Sequence, residues 1–134
     1  MTIQAQVLAL LARLQQESGL GMIFVTHSLP VAAEIAGRIA VMYAGEIVEE
    51  GPTKAVFASP LHPYTRALLR SALADDGGLP HAIPGAMPPP YALPPGCLFA
   101  PRCEHRVDAC EARRPKAIAV QEGRMTRCLR WAEI

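Results

Sequence analysis

At 134 residues the chain is long enough to bury one core and too short for a large multidomain enzyme. A formal net charge of +1, with 19% charged residues, excludes electrostatic capture of nucleic acid or an anionic membrane surface as its main mode of binding. No run approaches the ~18 apolar residues of a membrane span, and residues 1–12, with no Lys or Arg ahead of their leucines, do not read as a signal peptide. A soluble, cytosolic chain is expected, and in a reducing compartment its four cysteines favour metal over disulfides.

Residues 3–18 carry Ile3, Val7, Leu10, Leu11 and Leu14 at helical spacing, with Thr2 as N-cap and Gly19 as stop. Residues 22–26 form a short apolar, β-rich run ending at His27, which predicts a strand buried on both faces. Ser28 and Pro30 open a second helix through Ile35, closed by Gly37. Residues 38–43 and 46–50 are β-prone and joined by Ala44-Gly45, the spacing of a tight hairpin at a sheet edge. Residues 53–58 and 64–73 predict two short helices separated by Ser59-Pro60-Leu61-His62-Pro63. Residues 75–96, rich in Gly and Pro, read as an extended linker. The pattern is α/β, but one two-sided strand and one hairpin cannot complete the parallel sheet they imply, so the sequence reads as the end of a larger domain.

The last segment, 97–134, holds Cys97, Cys103, Cys110 and Cys128 with eight Arg or Lys against five Asp or Glu, while the preceding residues carry five against seven. Four cysteines on a segment with little apolar periodicity point to a metal centre or a pair of disulfides that does the holding. Their spacing, C-x5-C-x6-C-x17-C, departs from the short knuckle of a structural zinc site. A nucleic-acid-binding cysteine module would match the basic charge but lacks interleaved aromatics, and no nucleic-acid partner is expected. Glu34 and Glu46 read as solvated charge, and His62 and Tyr64 as packing or capping groups.

Phe24-Val25-Thr26-His27-Ser28, Val31-Ala32-Ala33-Glu34 and the run from Arg38 through Tyr43-Ala44-Gly45-Glu46-Ile47-Val48-Glu49-Glu50-Gly51 resemble the C-terminal half of ABC-transporter ATP-binding subunits. Ser59-Pro60-Leu61-His62-Pro63-Tyr64-Thr65 matches the His-Pro-Tyr-Thr signature of the oligopeptide and dipeptide import branch. Ile83-Pro84-Gly85-Ala86-Met87-Pro88 and Gly96-Cys97-Leu98-Phe99-Ala100-Pro101-Arg102-Cys103 resemble that branch's C-terminal extension. The resemblance divides the chain into the C-terminal part of an ABC ATPase domain (1–58), a helical connection with the signature (59–74), the linker (75–96) and an irregular four-cysteine extension (97–134).

It further implies that His27 occupies the switch position, sensing the ATP γ-phosphate and helping to align the attacking water, with Mg2+ held elsewhere in an intact domain. It implies a four-iron, four-sulfur cluster on Cys97, Cys103, Cys110 and Cys128, zinc being the alternative. Arg102, Arg106, Arg113 and Arg127 would then offset the cluster's negative charge. The implied partners are a second ATP-binding subunit and the permease subunits of a peptide importer, at the cytosolic membrane face. The chain lacks a phosphate loop, a Leu-Ser-Gly-Gly-Gln signature and an apolar strand ending in Asp-Glu, so alone it is expected neither to bind ATP well nor to hydrolyse it. It reads as a fragment, a remnant or the product of a misplaced start. The competing reading is a stand-alone, metal-stapled interaction module without enzymatic activity.

Overall fold

The computed structural model describes residues 2–72 and 82–134. The chain divides into two compact units, Met1–Ala36 and Gly37–Ile134. Expectations falling on 73–81, which include Leu73 of the second signature helix and the start of the linker, lie outside the described residues. None of the helices among the described residues is long and apolar enough to cross a membrane.

The first unit contains α1 (Ile3–Ser18) and α2 (Leu29–Ile35). Thr2 caps α1, its hydroxyl accepting from the Ala5 amide at 3.3 Å, and Gly19 ends it in the left-handed region at φ 63°. Ser28 sits at the N-cap of α2 without a side-chain capping bond; its amide instead donates to Thr26 Oγ1 at 3.0 Å. The expected two-sided strand at 22–26 is corrected. These residues form no strand, and Ile23 and Val25 are 94% and 90% exposed. A strand needs a neighbour to take its N–H and C=O groups, and every strand among the described residues belongs to the other unit.

The second unit holds a four-stranded antiparallel sheet flanked by short helices, so the mixed α/β class stands. β1 (Arg38–Tyr43) and β2 (Glu46–Pro52) form the expected hairpin, in register from Arg38↔Pro52 to Tyr43↔Glu46 with a bulge between Val41 and Met42. Ala44 and Gly45 both take positive φ, 47° and 86°, the backbone a two-residue turn needs to match strand twist. α3 (Thr53–Ala58) and α4 (Pro63–Ala72) follow, then α5 (Asp108–Ala112), β3 (Ile118–Val120) and β4 (Arg124–Thr126).

The strand order β1-β2-β4-β3 keeps the hairpin at one edge of the sheet, with β1 outermost, and makes one correction, to the extension. β2 lies inside the sheet, paired on its second side to β4 at Glu49↔Thr126 and Glu50↔Met125. The extension is not wholly irregular, because its β3 and β4 pair with each other and complete the sheet. Three-residue strands are too short to show alternation in sequence; pairing with the long hairpin is what makes them strands.

The core joins the hairpin, α4 and the extension. Val41, Tyr43, Val48, Leu98 and Phe99 are buried together, with Tyr64, Leu68 and Ile83 packed against them. The Tyr43 ring meets Tyr64 and Phe99 edge-on at centroid distances of 4.6 and 5.3 Å, geometries that add to the area they bury. Beneath this core lies Glu49, fully buried in β2. Its carboxylate accepts from the Leu61 amide (2.8 Å), the His62 amide (2.9 Å) and Arg124 Nη2 (3.0 Å). One charge thereby ties the hairpin to the signature loop and to β4. Glu49→Ala would strand the Arg124 charge and two buried amides, costing about 3–5 kcal/mol. A urea titration followed by the fluorescence of Trp131 reads this loss, and an unchanged midpoint would remove Glu49 from this role.

Candidate functional site

The two candidate sites lie in different units. His27 is exposed, just ahead of α2 and next to the Thr26–Ser28 turn. The four cysteines all lie in the second unit, where local structure delivers each one.

Cys97 follows Gly96 and donates its amide to the Cys110 carbonyl at 2.7 Å, which clamps the start of the extension to α5. Two successive turns, the Ala100 amide donating to the Cys97 carbonyl at 3.0 Å and the Cys103 amide to the Ala100 carbonyl at 3.1 Å, carry the chain from Cys97 to Cys103 through the 3-10 helix at Ala100–Arg102. Cys110 sits within α5, whose first turn carries Asp108. Cys128 lies just past β4, where the Arg127 amide reaches the Val48 carbonyl at 2.8 Å and its guanidinium the carbonyls of Ile47 and Pro115 at 3.1 and 3.2 Å.

All four cysteines are free and line one cavity of about 20 Å³, together with Phe99, Leu129, Pro115, His62, His105 and Arg130. Burial pushes the Cys97, Cys103 and Cys128 thiols up, Cys128 to about 11, and repulsion among the cysteines adds to the rise. At neutral pH these groups are therefore protonated, and anything bound by their thiolates must displace protons. No group of three or more described His, Cys, Asp or Glu side chains is arranged to hold a metal ion as it stands.

The charge around this cavity differs from expectation. Arg102 is turned to the carbonyls of Ile83 and Pro84 (2.9 and 2.8 Å), Arg106 pairs with Glu111 (3.7 Å), and Arg127 is spent on backbone carbonyls. None of these, nor Arg113, lines the cavity. Loops without ladder partners leave carbonyls to be satisfied, and guanidinium forks satisfy them. The cation at the cavity is Arg130, oriented by the His105 carbonyl (3.0 Å) and Glu133 (2.8 Å).

Sequence reasoning also missed Glu49 and the second role of His62. His62 is the N-cap of α4: Nδ1 accepts from the Tyr64 amide at 3.1 Å, ahead of Pro63 in the first helical position. Its capping place is legible from the His-Pro pair, but its approach to the cysteines is not. Burial holds its imidazole down to about 4, so the ring is neutral. An Nδ1 that accepts leaves the ring hydrogen on Nε2, and that atom is buried without a partner among the described residues.

Gly96 shows how closely this site is built. A Cβ there would fall into the Cys110 carbonyl and lie 2.6 Å from the Glu111 carbonyl oxygen, both backbone atoms with no rotamer in which to retreat. Gly96→Ala is expected to push Cys97 away from α5 at a cost of about 1–3 kcal/mol. Loss of thermal stability, together with faster alkylation of Cys97 and Cys110 by iodoacetamide, checks it; unchanged values in both would show that the clamp is dispensable.

Residues 48–110 match the family described as the oligopeptide/dipeptide transporter, C-terminal region. A protein of Brucella ovis named for peptide import and ATP binding is 54% identical over 99% of this chain. The dipeptide transport ATP-binding protein of Escherichia coli K12 is 43% identical over 95% of it, and the oligopeptide transport ATP-binding protein of Bacillus subtilis 168 is 43% identical over 98%. The chain spans 42%, 39% and 41% of the length of these relatives, respectively. Over residues 48–110, which include the signature helix and three of the four cysteines, the chain is thus similar to the C-terminal region of oligopeptide/dipeptide transporters, and over nearly its whole length to part of these ATP-binding proteins.

Proposed function

We propose that this chain supplies the C-terminal part of the ATP-binding subunit of a peptide importer. The observation that carries this reading is its relatedness, over nearly its whole length, to ATP-binding proteins named for peptide import or for dipeptide or oligopeptide transport. A stand-alone interaction module would not by itself account for that relatedness. In the intact subunit, ATP and Mg2+ would be held by parts homologous to those upstream in its relatives, and a second ATP-binding subunit would close over the nucleotide. Permease subunits at the cytosolic membrane face would receive the motion. The apolar side chains that the first unit leaves exposed, Ile3, Val7, Leu10, Ile23 and Val25, suit coverage by such upstream parts.

Within that subunit His27 would act as the switch. It would place a ring N–H on the γ-phosphate as charge develops there, and help hold the attacking water in line. The experiment is a chimera in which this chain replaces the matching segment of the Brucella ovis relative. The chimera should hydrolyse ATP, the 134-residue chain alone should not, and His27→Ala in the chimera should lower kcat about 100-fold with ATP binding retained. An unaltered kcat would remove His27 from the reaction.

We further propose a polynuclear centre on the four cysteines rather than a single ion. A structural zinc site brings its ligands from short C-x2-4-C knuckles, and the spacing C-x5-C-x6-C-x17-C is not of that kind, although the four cysteines line one cavity. A four-iron, four-sulfur cluster spreads its thiolates more widely and takes four cysteines without histidine. Cys97, Cys103, Cys110 and Cys128 would hold it, with Arg130 offsetting its charge. When bound it would supply folding energy to a segment with short strands and little core of its own, acting as a clip between the extension and the sheet. Anaerobically purified protein should be brown, with iron and acid-labile sulfide in equal amounts near four per chain. Colourless protein loaded with zinc would sink the cluster.

A further inference from the structure

Resting on the iron–sulfur reading above, we infer that His62 is the positioning donor of the cysteine site: its Nε2–H hydrogen-bonds to a sulfur of the centre held by Cys97, Cys103, Cys110 and Cys128. The signature histidine would thus do two things at once, capping α4 with one ring nitrogen and tuning the centre with the other.

Three observations support this. His62 is 1% exposed, and its Nε2 is a buried polar atom without a partner among the described residues. Buried donors of this kind in native proteins nearly always have a partner, because leaving one unmade forfeits its hydration with no return. The ring is also held in place: the backbone amide of His62 is bound to Glu49 at 2.9 Å and Nδ1 to the Tyr64 amide at 3.1 Å, while Phe99 lies against it at a centroid distance of 6.0 Å. Finally, the residue lines the cavity shared by the four thiols. The ring is fixed on one side by capping, its remaining hydrogen is unspent, and a sulfur of the centre on the neighbouring cysteines would be its acceptor.

An N–H donated to the sulfur of such a centre stabilises the more negative, reduced form more than the oxidised one, and so raises the reduction potential. Helix capping alone has no such effect. Two variants separate the roles. His62→Asn keeps a side-chain acceptor for the Tyr64 amide, since Asn is a favoured N-cap, but withdraws the ring nitrogen. His62→Phe keeps the ring volume and removes both functions.

The full 134-residue chain and both variants are loaded anaerobically with ferrous iron and sulfide, then titrated with dithionite. In each variant the reduced-to-oxidised ratio at a fixed potential should fall at least tenfold, a downward shift of about 59 mV for a one-electron couple. His62→Phe should also lower the melting temperature of the unloaded chain, and His62→Asn should leave it near wild type. Failure of His62→Asn to retain iron, with its unloaded melting temperature kept, would equally support the bond. A wild-type potential in His62→Asn would overturn the inference while leaving the centre in place. A wild-type chain that takes up neither iron nor sulfide would overturn both the inference and the reading on which it rests.

Discussion

The Glu49 carboxylate is the constraint on which the second unit depends. A fully buried charge survives folding only when its lone pairs are filled, and here they are filled by two successive loop amides and one guanidinium. Because those donors come from Leu61, His62 and Arg124, satisfying one side chain fixes where the signature loop and β4 must lie. Arg124 is itself shared, donating also to the Ser59 carbonyl, so the ion pair and the loop close on each other. The cost of burying the charge is offset only when all three segments are present, which makes the arrangement cooperative.

From that anchor the cysteine site follows. With His62 held against β2, α4 starts at Pro63 and turns Tyr64 into contact with Tyr43 and Phe99. Phe99 stands between Cys97 and Cys103, so packing the aromatic cluster places the first two thiols. β4, paired to β2 beside Glu49, ends two residues before the fourth. The segment 59–65 is therefore a structural joint between the hairpin and the extension. Its histidine, tyrosine and threonine are each buried or partly buried, and none is presented to solvent as a ligand would require.

The first unit makes a contrast. Its apolar residues are those of a helix and a strand that expect neighbours, yet Ile3, Val7, Leu10, Ile23 and Val25 are exposed and 22–26 takes no strand. Apolar pattern encodes a preference for burial; it does not supply the surface against which burial occurs. A histidine placed at the end of such a run, as His27 is, acquires a defined direction only when the strand is paired.

The sequence by itself determined α1 with its Thr2 cap and Gly19 stop, the Ala44-Gly45 hairpin, α3, the start of α4 at Pro63, and the resemblance carried by residues 59–65. These rest on near-neighbour rules: capping at N2 and N3, positive φ in a two-residue turn, the fixed φ of proline. Only the tertiary structure decided that β2 lies inside the sheet, that the extension supplies β3 and β4, that Glu49 is a buried anchor, and that Arg130 rather than Arg102 or Arg127 edges the cysteines. Most of these rest on contacts between segments far apart in sequence, such as Glu49 with Arg124 75 positions away, or on a choice among chemically equivalent arginines, and no local pattern carries that information. The four cysteines stand between the two cases, since their types and number announce a shared site, while their convergence on one cavity that His62 also lines is a product of the fold.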